Sequence, residues 1–512
     1  MLTSAAMVLI AGAILFVLLV FAVGHAPRGH ALRPVVGAES DAAVPDGAPD
    51  LPGWKRWYLE TGAGTSPGHS CSFIEFDERG DYLDFLQHRH AYQKILELAE
   101  DPRPLTLVVY VHGWRHSGQS QDVVSFNEFL HQLADTEEIE PRRRVHGVYL
   151  VWRGSALKHV FDRDDVFQNV TSYFGGPIVD PRARARIGWL TTILESFSYF
   201  DRKSVPEYKF SGTALSRTIF SCAFAAKRGR SDCQVMLLGH SFGALLLERT
   251  FQNAAISQLT AAWPWGTSDE ASPVNPLPFD TVLLVNSAAP SIYAKQLQGY
   301  LAAHRQAMLR AHVPRAGTPF VFSVTSSADW ATGVAHPIAN LPTVLLPTLR
   351  RKYGVADFTV ENVPENAGIE IPQSYYYRHT PGHNPLLVNR FIEPLVPAPK
   401  PPVGKRSHVR RNLMKSHGDL NEFEVATPDG DGTARWSVNF PPATAAFVQF
   451  SMYRGRRPVV WTNEHDRYRY KDTAYWIIRC PKEILSSHND IWNQPAMDVY
   501  AALHRIALQA RG

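Results

Sequence analysis

A serine between two glycines is the first residue in this chain whose setting points to chemistry. Ser241 lies in Gly239-His240-Ser241-Phe242-Gly243, inside the stretch CQVMLLGHSFGALLLERTFQ from Cys233 to Gln252. A serine hydroxyl becomes a useful nucleophile when a neighbouring base takes its proton. Histidine is the common base, and a carboxylate commonly fixes its orientation. Two later residues have the right types in comparable settings. Asp329 follows the apolar run Pro319 to Thr325, and His488 follows the run Thr473 to Arg479. The chemistry of such a set is acyl transfer through a covalent intermediate.

The elements around Ser241 have the form that chemistry requires. Val235 to Leu238 is a short apolar run that reads as a buried parallel strand. Ala244 to Leu247, then Glu248 and Arg249, form a helix-favouring sequence. A strand, a tight turn and a helix would hold the hydroxyl clear of the sheet. Gly239 and Gly243 lack a Cβ and let the strand and helix approach closely. The amides that follow Ser241 would lie at a helix N-terminus, facing developing negative charge.

This stretch resembles the nucleophile elbow of the α/β-hydrolase family. The resemblance implies a triad in the chain order serine, acid, histidine, with an oxyanion loop upstream. Leu105 to Val111 is a strong apolar strand that ends in His112-Gly113-Trp114. By the resemblance, the backbone amides of Trp114 and Phe242 are the oxyanion donors. The acid falls on Asp329, because the preceding strand end, Asn286-Ser287-Ala288-Ala289-Pro290, carries no carboxylate. A bare Asx turn or helix cap is the competing reading of Asp329, since Thr332 and Gly333 follow closely. The base falls on His488, between the last strand and a terminal helix from Pro495 to Gln509. His417 and His465 are the alternatives, and neither directly follows such a strand.

The remaining chain alternates in a βα rhythm. Helices are expected over Tyr82 to Ala99, Asp122 to Leu133, Thr213 to Lys227 and Ile292 to His304. Strands are expected near Trp57 to Leu59 and Ser72 to Phe76, and at Val145 to Trp152 and Thr281 to Val285. The predicted fold is a doubly wound, mostly parallel α/β sheet spanning residues 54–512. Two insertions interrupt it, at about 155–210 and 333–438. The first is rich in aromatic residues, among them Phe161, Phe167, Tyr173, Phe174, Trp189, Phe197, Tyr199 and Phe200. These either line an apolar acyl pocket under a cap or pack the insertion's own core. In the second, Leu345, Leu346, Leu349 and Val355 suit a partly apolar helix or lid, and Pro394 to Pro402 reads as surface loop.

Composition excludes some classes. The chain has 512 residues and a net charge of +4, too small a surplus to imply nucleic-acid binding. Its four cysteines, at 71, 222, 233 and 480, have no disulfide or zinc spacing. His379 and His383 are spaced like a metal pair, but Pro and Gly place them in a loop with no acidic third ligand near. Asp429 to Thr433 resembles half a calcium loop without its terminal Glu, and reads as a turn. No metal or cofactor is expected.

Residues 1–24 contain no charged side chain, and Ala5 to Val23 is long enough to span a bilayer as a helix. A cleaved signal peptide competes with an uncleaved anchor, and the length and missing basic n-region favour the anchor. Arg28 and Arg33 follow this span, which places the catalytic domain on the cytoplasmic side. Residues 25–53 read as a flexible linker. The expected function is hydrolysis of carboxylic esters, lipid or acyl esters in particular. The alternative is a catalytically silent, membrane-tethered binding module built on the same scaffold.

Overall fold

The computed structural model describes residues 58–152 apart from 62–67, 78, 114–120 and 137–142. It also describes 203–340 apart from 204, 211–212, 229–231, 263–276 and 311–318, and 369–397 apart from 385–386. Residues 358–361, 422–426, 433–439, 447–449, 459–461 and 474–508 complete the described set. The expected anchor and linker, Trp114, the aromatic residues from Phe161 to Phe200, Leu345 to Val355, His417, Asp429 and His465 all lie outside it. Among the described residues, no helix is long and apolar enough to cross a membrane.

The chain opens with β1 (Tyr58–Thr61) and β2 (His69–Glu75), followed by α1 (Phe85–Glu100). Asp84 caps α1 by accepting from the Leu86 amide at 2.9 Å, so the helix starts three residues later than the apolar spacing predicts. Then come β3 (Leu105–Val111), α2 (Gln121–Thr136), β4 (Arg144–Val151) and α3 (Ala214–Lys227). The central elements are β5 (Gln234–His240), α4 (Phe242–Ala262), β6 (Thr281–Val285), α5 (Ser291–Arg310) and β7 (Val321–Ser326). Two hairpins stand apart, β8 (Phe358–Glu361) with β9 (Ile369–Pro372), and β13 (Phe447–Gln449) with β14 (Val459–Trp461). The strands β10 (Arg390–Pro397), β11 (Glu422–Ala426) and β12 (Thr433–Asn439) precede β15 (Tyr475–Cys480) and α6 (Gln494–Leu508).

One sheet organises these elements, in the order β1-β2-β4-β3-β5-β6-β7-β15-β10-β12-β11. From β2 through β10 every neighbouring pair is parallel. The edges are antiparallel, β1 on one side and β12 with β11 on the other. The central parallel strands, such as β3 and β6, are apolar runs because both faces are covered. Every residue of LTLVVYV in β3 is buried. Its alternate side chains enter different cores, as a two-residue period dictates. Leu105, Leu107, Val109 and Val111 meet α1, α3, α4 and α5 residues such as Ile95, Ile219, Leu245 and Leu297. Val108 and Tyr110 meet Phe126 and Leu130 of α2 and Val499 and Leu503 of α6. The result is an α/β fold with helices on both faces.

The second insertion departs from expectation. Pro394–Pro397 is strand rather than surface loop, and β10 to β12 widen the main sheet. Proline is tolerated there because β10 pairs with β15 only at Arg390 and Phe391. Beyond that point β10 pairs with β12 alone, and its register shifts between Pro394 and Val396. The first insertion is fixed to the core at its C-terminal end. There Lys203 Nζ donates to Asn340 Oδ1 at 2.8 Å, and the Tyr293 hydroxyl donates to Glu207 Oε1 at 2.6 Å.

Candidate active site

In an open parallel sheet, ligands bind beyond the carboxyl ends of the strands, where the strand order reverses. The chain runs from β3 outward to β4 and returns to β5 on the other side of β3, so the reversal lies between β3 and β5. Ser241 leaves β5 at this place. Its φ is 54°, in the left-handed region that non-glycine residues rarely occupy. The strained turn is held by the Ser241 amide, which donates to Val285 O at 3.0 Å, and by the Ala288 amide, which donates to Ser241 O at 3.2 Å.

Both elbow glycines are required by space. A Cβ on Gly243 would stand 2.1 Å from Val111 O, and one on Gly239 would stand 2.8 Å from the Ala244 Cα. Helix α4 therefore starts against the end of β3, and Phe242 opens it. The Phe242 amide accordingly sits at the positive end of α4. The other expected oxyanion residue, Trp114, lies outside the described residues. His112 has a different task. Its Nδ1–H donates to Gly113 O at 2.9 Å, and its Nε2 accepts from the Trp152 amide at 3.1 Å. Its ring also stacks on Trp152 at 5.5 Å, tying the end of β3 to that of β4.

Ser241 meets two residues from distant parts of the chain, His488 directly and Asp329 through it. His488 Nε2 lies 2.9 Å from Ser241 Oγ, and His488 Nδ1 lies 2.9 Å from Asp329 Oδ2. The Asp329 carboxylate only accepts, so Nδ1 carries the proton and Nε2 is left to accept from the serine hydroxyl. Burial alone pushes the Asp329 carboxyl up. The hydrogen bond and charge of His488, with the hydroxyl and amide of Thr332, outweigh it and hold Asp329 below the usual carboxylate range. The Asp329 side chain is fully buried, whereas that of His488 retains 19% exposure.

Asp329 also caps the turn that follows it. Its Oδ1 accepts from the Thr332 amide at 3.1 Å, and its Oδ2 accepts from the Thr332 hydroxyl. The Asx turn and the contact with the histidine therefore coexist on one carboxylate: Oδ1 takes the Thr332 amide, and Oδ2 is shared by the Thr332 hydroxyl and His488.

No family model, curated protein or solved structure matches this chain. The site accordingly stands on its own geometry.

Four residues near the site went unassigned in the sequence. Thr332 is one. His383, considered only as a metal ligand, places Nδ1 3.4 Å from the Thr332 hydroxyl and 3.2 Å from that of Thr380. Burial pushes its imidazole down to about 4, so the ring stays neutral. His379 directs its Nδ1–H to Tyr375 O at 2.8 Å. Among the described residues, no three His, Cys, Asp or Glu side chains are grouped to hold a metal ion. The other two unassigned residues, Asn286 and His240, both contact the backbone of His488. The signal for Asn286 was present: an asparagine at a strand end is suited to the left-handed region.

Proposed function

We propose that the protein is a serine hydrolase of the α/β-hydrolase type, cleaving carboxylic esters through an acyl-enzyme. One observation carries this reading: His488 lies within hydrogen-bond reach of both Ser241 Oγ and Asp329 Oδ2, at 2.9 Å each. A nucleophile, a base and an orienting acid in that geometry form the working unit of acyl transfer.

In the proposed cycle, Ser241 Oγ attacks the ester carbonyl carbon as its proton passes to His488 Nε2. Asp329 stabilises the imidazolium that forms. The amides of Phe242 and Trp114 receive the oxyanion. Collapse breaks the ester C–O bond, and the Nε2 proton leaves with the alcohol. Water then attacks the acyl-serine, giving its proton to Nε2, and the acid departs as the proton returns to Ser241 Oγ. The cycle uses no metal or cofactor. The favoured substrates are acyl or lipid esters. Residues 1–24 are proposed as a single-pass anchor, with Arg28 and Arg33 keeping the domain on the cytoplasmic side.

A fluorophosphonate probe tests the central claim. Wild-type protein is expected to label at Ser241, and Ser241→Ala to lose both labelling and about 10⁶-fold in kcat. Folded wild-type protein that neither labels nor hydrolyses any p-nitrophenyl acyl ester would overturn the reading in favour of a silent binding module. A series of such esters of rising chain length reports the acyl preference. Protease accessibility in spheroplasts reports the side of the membrane.

A further inference from the structure

We propose that Asn286, acting with His240, is a positioning residue that sets the general base by clamping the backbone carbonyl of His488. The proposal rests on the hydrolase reading above and adds to it a device outside the triad.

The backbone at Asn286 is strained. Among the described residues, Ser241 and Asn286 are the two non-glycine residues with positive φ, at 54° and 45°. Such strain persists where the surroundings over-determine it, and it gathers at functional sites. The surroundings of Asn286 do so. It is fully buried at the end of β6, and its amide N–H donates to Val324 O at 2.9 Å.

The side chain then bridges three chain segments. Its Oδ1 accepts from the Ser326 amide at 2.9 Å. Its Nδ2 donates to His488 O at 2.9 Å and to Ser487 O at 3.2 Å. An amide N–H on one side and two carbonyls on the other leave one orientation for the carboxamide. The His488 carbonyl has a second donor, His240 Nε2, at 2.9 Å. His240 is the last residue of β5 and the immediate neighbour of the nucleophile.

His488 is therefore held at both ends. Its ring reaches Ser241, after β5, and Asp329, after β7. Its carbonyl is gripped from the ends of β5 and β6. Since His488 lies in a loop, its ring contacts alone leave the backbone free to drift. The clamp ties that backbone to the end of β5, which carries Ser241, and to the end of its neighbour β6. A misplacement of about 1 Å in such an arrangement costs on the order of 10²-fold in rate.

The test uses the full-length protein and a p-nitrophenyl acyl ester. Kcat and KM, the pH profile of kcat/KM, fluorophosphonate labelling rate and Tm are measured, with active-site titration counting competent molecules. Asn286→Gly keeps the positive φ without strain and removes only the carboxamide. Asn286→Asp retains the shape but turns an oxygen toward two carbonyl oxygens. His240→Leu removes the second donor, and His240→Gln restores an amide N–H near the place of Nε2.

Expected for Asn286→Gly is a loss of about 10²-fold in kcat per competent site, with KM within about twofold. Asn286→Asp loses more. Labelling slows in parallel, and the acid limb of the pH profile shifts because the Nδ1–Asp329 contact loosens. His240→Leu loses about tenfold and His240→Gln recovers most of it. Full kcat per titrated site in both Asn286 variants, whatever their Tm, overturns the clamp and leaves the hydrolase reading intact. A wild-type protein that fails to label overturns both.

Discussion

Two buried carboxylates, one in the site and one two turns along α4, are driven in opposite directions. Asp329 and Glu248 are each almost wholly removed from solvent. Burial raises both, because a carboxylate loses its hydration there. Glu248 in α4 accepts from the Tyr475 hydroxyl at 3.1 Å, and burial prevails over this bond, the Arg249 charge and the Ser287 hydroxyl, pushing its carboxyl up to about 8. Asp329 takes the His488 ring N–H and two donors from Thr332, and these prevail over burial. Depth and donors together separate the two: Glu248 is wholly buried, whereas Asp329 is slightly less so and has the His488 ring and two Thr332 donors beside it. Asp329, beside His488, is the one held as a carboxylate.

The largest break in this comparison is Asp329→Asn. The amide cannot enforce the tautomer that leaves Nε2 as an acceptor, so kcat is expected to fall about 10⁴-fold. Ester turnover at neutral pH checks it, and a loss below tenfold would remove Asp329 from the triad. The same substitution reports on stability. The folded Asp329 carboxyl lies below its unfolded value, so its contribution is present above the unfolded pKa and vanishes as pH falls through the folded one. The stability difference between wild type and Asp329→Asn should therefore narrow on acidification below about pH 4, by denaturant titration.

Thr332→Val is the next step down. It removes the hydroxyl donor while leaving the capping amide, so burial regains ground and the Asp329 carboxyl rises. A hydrogen bond to a charged group is worth about 1.5–3 kcal/mol, and about tenfold in kcat is expected to follow. The acid limb of the pH profile should move upward. Thr332→Ser keeps the hydroxyl and should restore both. An unmoved acid limb in Thr332→Val would show that the donors are not what holds Asp329 down.

What could be read in the sequence divides along the same physical line. Strands such as Leu105–Val111 and Thr281–Val285 were legible because burial on both faces demands an unbroken apolar run. Ser241, Asp329 and His488 were legible because each follows such a run. Contacts that depend on distant backbone were not. Asn286 donates to a carbonyl 202 positions later, and His240 reaches the same carbonyl 248 positions on. Neither residue type announces such a partner locally. The strand β10 was hidden for another reason. Prolines argue against a strand in sequence, yet Pro394 is accommodated at a register shift beyond the reach of β15.

Glu248→Gln sharpens the comparison from the other side, with the smallest effect on activity. Glu248 stands seven positions after the nucleophile on α4, with no contact to Ser241, Asp329 or His488 among its hydrogen bonds. Kcat should stay within about twofold. Stability is where the substitution speaks. The folded carboxyl, near 8, lies above its ordinary value of 4.5, so between these the folded state holds a proton that the unfolded state has released. Stability from this group is then fully present below about pH 4.5 and declines as pH rises toward 8, with a slope of up to ~1.4 kcal/mol per pH unit. Glutamine stays neutral and can still accept from Tyr475, so this slope should disappear. The variant is expected to match wild type near pH 5 and to exceed it at pH 8, by denaturant titration at each pH. An equal slope in both proteins would mean that Glu248 is ionised despite its burial, and that burial is not what separates it from Asp329.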